Sequence, residues 1–137
     1  MITFKDNCDK ISAEMLNGFF VGWKEHPTPE KLLYILNNSE YKILAVDDQS
    51  GRVTGFINAI SDGVLSAYIP LLEVIPEFQG RGIGSELVKR MLHKLKDHYM
   101  IDIVCDESVQ KFYEKFGLKK YSAMILRNYD KQGGITK

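Results

Sequence analysis

Apolar positions along this chain follow two spacings, and each spacing marks a different kind of element. Steps of three and four recur in "ISAEMLNGFFVGW", where Ile11, Met15, Leu16, Phe19 and Phe20 would share one face of a helix. They recur in "EKLLYILNN", which follows Thr28 and Pro29, an N-cap with proline at the first helical position; this second helix would end at the asparagines. The longest row is Ile83, Leu87, Met91 and Leu95, with Val88 and Leu92 beside it. Lys89, Arg90, Lys94 and Lys96 fall mostly on the opposite side, so an amphipathic helix with a solvated basic face is predicted from about Gly82 to His98. A last helix is predicted in "ESVQKFYEKFG", closed by Gly117 just past its end.

Runs rich in β-branched residues, bounded by turn residues, predict the strands. "ITF" is a short first strand, and "YKILAVDD" and "RVTGFINAIS" flank "DQSG" as a hairpin with a glycine turn. "VLSAYIPLLEVI" is a long strand in which Pro70 requires a bulge or a locally unpaired backbone. "MIDIVC" and "KKYSAMILRN" complete the set, and residues 130–137 are expected to fray. Two helices, a hairpin with a third strand, then strand, helix, strand, helix and strand make an α/β (α+β) sheet covered by helices, as one domain over 1–137.

Composition narrows the function classes. The 137 residues include 18 Lys plus Arg against 18 Asp plus Glu, so no global field draws in nucleic acid or an anionic membrane. Cys8 and Cys105 are far apart, and His26, His93 and His98 are scattered, which gives neither a disulfide framework nor a metal cluster. No signal peptide and no apolar run of spanning length is visible, and a cytoplasmic, reducing location is expected. A phosphate-bearing ligand would need a local device.

"EVIPEFQGRGIGSELVKRM" supplies a candidate. Gly80, Gly82 and Gly84 alternate with Arg81 and Ile83 just where a helix begins, although each glycine costs backbone entropy. A nucleotide P-loop would need Gly-Lys-Ser/Thr, and no Lys follows Gly84; a dinucleotide fingerprint would need a further glycine where Ser85 stands. What remains is a Gln/Arg-x-x-Gly-x-Gly loop, whose small residues let backbone N–H groups converge on a pyrophosphate at a helix N-terminus. The bland reading, a tight strand-to-helix turn, competes with it.

Together, "LLEVIPEFQGRGIGSELVKRML" and "DESVQKFYEKFGL", in this element order, resemble the GNAT superfamily of acyl-CoA-dependent N-acyltransferases. The resemblance implies a mixed, mostly antiparallel central sheet, flanked by about four helices and splayed where acetyl-CoA binds. It places Gln79, Gly80, Arg81, Gly82, Ile83, Gly84 and Ser85 at the pyrophosphate, and Val74 beside the pantetheine arm with its amide near the thioester carbonyl. It makes Tyr113 the general acid for the departing thiolate, where composition alone would read a core aromatic. The family often has Asn seven residues earlier; Asp106 stands there, which puts that cofactor contact in doubt and leaves Asp106 as a helix cap.

The acceptor side is read more openly. Strand alternation sets Glu73 opposite Val74, either as a base or cation-attracting carboxylate in the acceptor cleft, or as an ordinary carboxylate paired with a lysine. Tyr68 and Asp62 are weaker candidates, and ordered water can replace a base altogether. Trp23, Phe19, Phe20 and Tyr34 come from the helical pair that covers the acceptor site in this family; Phe19 reads as packing, Trp23 as packing or pocket lining. Cys105 reads as a small buried hydrophobe, against an acyl-cysteine route. The expectation is direct acetyl transfer from acetyl-CoA to a primary amine, of a small molecule ahead of a protein lysine or N-terminus, with no metal. A non-catalytic acyl-CoA-binding regulator is the alternative. The final strand could add to a partner's sheet, and a homodimer is the base-rate expectation.

Overall fold

The computed structural model describes residues 1–136; Lys137, the end of the segment expected to fray, lies outside the described residues. Six strands form one sheet: β1 (Ile2–Lys5), β2 (Tyr41–Asp47), β3 (Val53–Ser61), β4 (Ser66–Tyr68), β5 (Leu72–Val74) and β6 (Met100–Asp102). Their order is β1-β2-β3-β4-β6, and β5 pairs with β3 beside β4. All pairs are antiparallel except β4 with β6.

The hairpin of β2 and β3 is apolar on both faces because both faces are covered. On one face Ile43, Ala45, Ile57 and Ala59 pack under α2 (Ile83–Lys94), whose predicted row Ile83, Leu87, Met91 and Leu95 is wholly buried. On the other, Leu44, Val53 and Phe56 pack under Leu32 and Leu36 of α1 (Pro29–Asn37). The start of α1 is as the sequence indicates: the Thr28 hydroxyl accepts the Lys31 N–H, and Pro29 stands at the first helical position. A third, short helix, α3 (Gln110–Glu114), is closed by Gly117 at φ +95°.

Three expectations need correction. "ISAEMLNGFFVGW" is not a helix: only Ala13–Leu16 makes one 3-10 turn. Gly18 and Gly22 at positive φ, with Phe20 also left-handed, turn the chain repeatedly, so Ile11, Leu16, Phe19 and Phe20 reach the core from an irregular loop. Among the described residues there are therefore three α-helices rather than four. "KKYSAMILRN" forms no strand here, and residues 119–131 are all exposed. Finally, Asp106 caps the turn Glu107–Val109 through its backbone carbonyl, which accepts the Val109 N–H, and not through its side chain.

Candidate active site

The long strand expected around Pro70 is split into β4 and β5, and this split creates the site. Proline offers no N–H to a ladder, and the residues around it leave the common line. The break is held by Asn58, buried on β3. Its side-chain oxygen accepts the Leu71 N–H at 3.1 Å, and its amide donates to the Ser39 hydroxyl at 3.0 Å. That hydroxyl in turn donates to the Ile35 carbonyl of α1. Up to this break β4 runs parallel to β6, and the Ile69 N–H donates to the Asp102 carbonyl at 3.0 Å. Beyond it β5 returns to β3, whereas residues 103–105 run on outside the ladder. The sheet therefore opens into a wedge, with Val74 on one wall and Ile103 to Cys105 on the other.

The ladder decides which groups face the wedge. Just beyond the two ends of β5, the Ile75 N–H donates to the Thr54 carbonyl, and the Asn58 N–H donates to the Leu71 carbonyl. Hydrogen-bonded pairs alternate in an antiparallel ladder, so Val74, opposite Gly55, turns its N–H and carbonyl away from β3. The carbonyl accepts the side-chain amide of Gln79 at 2.9 Å. The Val74 N–H is left pointing into the wedge. Gly55 makes this crowding feasible: a Cβ there would lie 3.2 Å from both Leu87 Cδ1 and Val74 Cγ2. Neither Gly55 nor Asn58 stood out in the sequence, although a glycine inside a strand is a known sign of close backbone approach.

Next comes the glycine loop. Gly80 and Gly82 have φ of +77° and +81°, the left-handed region that side chains resist, and the space above each is open. Gly82 is the residue before α2, and no side chain caps the helix; its carbonyl accepts the first intrahelical bond, from Glu86. The amides of Ile83, Gly84 and Ser85 consequently have no intrahelical acceptor and stand at the positive end of a twelve-residue helix. Gly84 has a different reason: a Cβ there would meet Val74 Cγ2 at 3.8 Å and Phe112 Cζ at 3.9 Å. The first turn of α2, the wedge wall of β5 and α3 thus converge on one point. Arg81 stacks on the Phe78 ring, 4.6 Å from its centroid, and donates to the Glu77 carbonyl.

Tyr113, next to Phe112 on α3, lines a cavity of about 150 Å³ together with Ile103, Val104 and Cys105. Burial, with a smaller contribution from Cys105, pushes its hydroxyl up to about 12, so it is protonated throughout the physiological range. Burial also raises the Cys105 thiol, which disfavours the nucleophilic thiolate.

The other candidates lie apart from that point. Glu73 faces away from Val74, as alternation requires, and its carboxylate accepts the Phe20 N–H at 2.8 Å and the Val21 N–H at 3.2 Å. It anchors the irregular loop that carries Trp23, whose ring packs on Phe20 at 4.8 Å. Tyr68, half-exposed on β4, lines a trough with Asp102 beside β6. Asp62 accepts the Val64 and Leu65 N–H groups and the Ser66 hydroxyl, which hold its carboxyl far below the usual range and bind it into the turn between β3 and β4. Among the described residues no cluster of three His, Cys, Asp or Glu is placed to hold a metal ion, and no helix is long and apolar enough to cross a membrane.

A sheet that splits beside an uncapped, glycine-led helix N-terminus is the fold this chain shares with acetyltransferases. The chain belongs to the acetyltransferase (GNAT) family, whose pattern it matches over residues 8–118. A crystal structure from Deinococcus radiodurans R1, of a protein named among acetyltransferases, superposes with a TM-score of 0.96 at 47% identity, covering 99% of this chain and 94% of that one. A GNAT-family acetyltransferase of Streptococcus pneumoniae TIGR4 superposes with a TM-score of 0.74 at 31% identity, over 93% and 98% of the two chains. The uncharacterized N-acetyltransferase ycf52 of Pyropia yezoensis is 30% identical over 104 residues, 73% of this chain, but the chain spans only 59% of that relative's length.

Proposed function

We propose that this chain transfers the acetyl group of acetyl-CoA to the primary amine of a small molecule, by direct attack in a ternary complex. The observation that carries the reading is the convergence of three features: the unpaired first-turn amides of α2, the wedge-facing Val74 N–H and the helix bearing Tyr113. The backbone amides of Gly82 to Ser85 suit a pyrophosphate, which a chain of zero net charge needs a local device to hold. Gln79 serves by fixing the Val74 carbonyl, and Arg81, held on the Phe78 ring and the Glu77 carbonyl, adds positive charge beside the loop.

The chemistry follows from these positions. The amine nitrogen attacks the thioester carbon; a C–N bond forms, the C–S bond breaks, and negative charge gathers first on the carbonyl oxygen and then on sulfur. The Val74 N–H is directed at the developing oxyanion. Tyr113 donates its proton to the departing thiolate. Its hydroxyl is a weak acid, but the burial that raises it also raises a thiol in the same cavity, as Cys105 illustrates, so donor and acceptor stay within reach. Holding both reactants in the wedge supplies the larger effect, ~7–11 kcal/mol in favourable cases. Because both oxygens of Glu73 are engaged by backbone N–H groups, its role is to set the Trp23 loop against the acceptor and to attract an ammonium, and water takes the amine's proton.

The test is calorimetry with acetyl-CoA, followed by thiol release across an amine panel that includes lysine peptides. Heat of binding and thiol release that depends on an amine are expected. Heat without thiol release for any amine would make the chain a binding regulator, and no heat would overturn the reading.

A further inference from the structure

Residues 17–22, which lead to Trp23, belong to no helix or strand, and Gly18, Phe20 and Gly22 turn them at positive φ. Two side chains from distant parts of the chain hold this loop. One is Glu73, through the Phe20 and Val21 N–H groups. The other is Arg52, the residue before β3. Its Nη2 donates to the Asn17 carbonyl at 3.3 Å, and its Nη1 donates to the Glu77 carboxylate at 2.8 Å. Glu77 stands in the turn Pro76–Phe78, which runs into the glycine loop, and its carbonyl accepts Arg81. One guanidinium therefore joins the base of the Trp23 loop to the approach of the glycine loop.

Both ends of the Arg52 side chain have a built seat. At the root, the Arg52 carbonyl accepts the Asp47 N–H at 2.9 Å, and its own N–H donates to the Ser50 hydroxyl at 3.3 Å. Ser50 is in turn bound to the Asp47 carboxylate, so the turn between β2 and β3 fixes where the side chain starts. At the tip, Gly18 leaves the necessary room: a Cβ there would lie 2.7 Å from Arg52 Nη2 and 3.7 Å from Ile75 Cγ2. A planar fork serves two acceptors in fixed directions, which the single charge of a lysine does not. The Arg52 and Glu77 side chains are 35% and 58% exposed, and ion pairs so open to water add little to stability. What the contact does fix is the position of one loop relative to the other.

We propose that Arg52 is a positioning residue for the acceptor: it sets the Trp23 loop against the turn that leads to the glycine loop, and so sets how the amine is seated before attack. The inference rests on the function proposed above and adds to it a residue that touches neither reactant.

Trp23 is the one tryptophan of the sequence, so tryptophan fluorescence reports this loop. Without any ligand, Arg52→Met is expected to raise the acrylamide quenching constant of Trp23 by about twofold, with little change in a circular dichroism melt. In turnover it should raise KM for the best amine of the panel about tenfold, while kcat and the acetyl-CoA dissociation constant stay within a few fold. Arg52→Lys keeps the charge without the fork and should recover part of both effects. Glu77→Gln should act in the same direction and add little to Arg52→Met, because both remove one contact. Quenching and KM equal to those of the unaltered protein overturn the proposal. So does a joint loss of melting temperature and kcat in both Arg52 variants, which would make the contact merely structural. Raised quenching in a protein whose unaltered form releases thiol with no amine would overturn the proposed function instead, and with it any role for Arg52 towards an acceptor.

Discussion

Tyr113 is the residue on which the proposed chemistry turns. Replacing it by Phe keeps the ring against Phe112 but removes the proposed proton donor, so kcat should fall by about 10²-fold while acetyl-CoA affinity measured by calorimetry stays within a few fold. Its raised pKa also has a sign. The folded state holds the proton above the ordinary tyrosine value, so this group's contribution to stability is complete below about pH 10 and is lost as pH rises towards 12. Tyr113 should therefore impose no falling limb on the rate below about pH 11. Its high-pH step in tyrosinate absorbance should vanish in the Phe variant. Asn58 acts on stability instead. Asn58→Ala leaves the Leu71 N–H and the Ser39 hydroxyl short of partners and should cost about 1–3 kcal/mol in urea unfolding. Tyr113 could be nominated from its neighbours in the sequence, through a family resemblance. Asn58 could not, because its partners are Ser39 and Leu71, and nothing local announces a buried amide linking three elements.

At the scale of elements, the glycine-led start of α2 was readable because it is local. Six consecutive residues carry the loop, and the apolar row that follows says which way the helix lies. The three glycines nevertheless differ in cause, and that suggests a discriminating experiment. Gly82→Ala forces a side chain into the left-handed region and should tilt the first-turn amides, raising the acetyl-CoA dissociation constant by about tenfold or more. Gly63→Ala is the control: it has φ of +80° and open space like Gly82, but it lies in the turn between β3 and β4. It should lose comparable stability in unfolding and keep its affinity for acetyl-CoA. The first predicted helix failed for the converse reason. Its apolar spacing is right, and its residues are buried, but Gly18 and Gly22 at positive φ break the backbone, and the Glu73 carboxylate from a distant strand holds the Phe20 and Val21 amides that a helix would have used.

Across the whole molecule the decisive event is the parting of the sheet. β3 joins the two halves, with α2 on one face and α1 on the other, and the strand after the Asp62 turn is shared between β6 and β3. That division leaves one amide free and its neighbour bonded. Hydrogen exchange should detect this: acetyl-CoA should slow exchange at Val74, whereas Ile75, already bonded to Thr54, should change little. Equal protection at both would mean that Val74 is not the carbonyl donor.

The amino-acid order by itself determined the helices that carry their own start signals, the β2–β3 hairpin, and a glycine-led turn at the head of α2. These depend on residues near one another in the chain, where spacing, proline and glycine act directly. Only the tertiary structure decided that "KKYSAMILRN" finds no sheet on its own chain, that Glu73 is engaged by a loop, and that the Val74 amide faces an opening. Each of those outcomes depends on which distant backbone groups are already paired, and a pairing partner is a property of the assembled sheet.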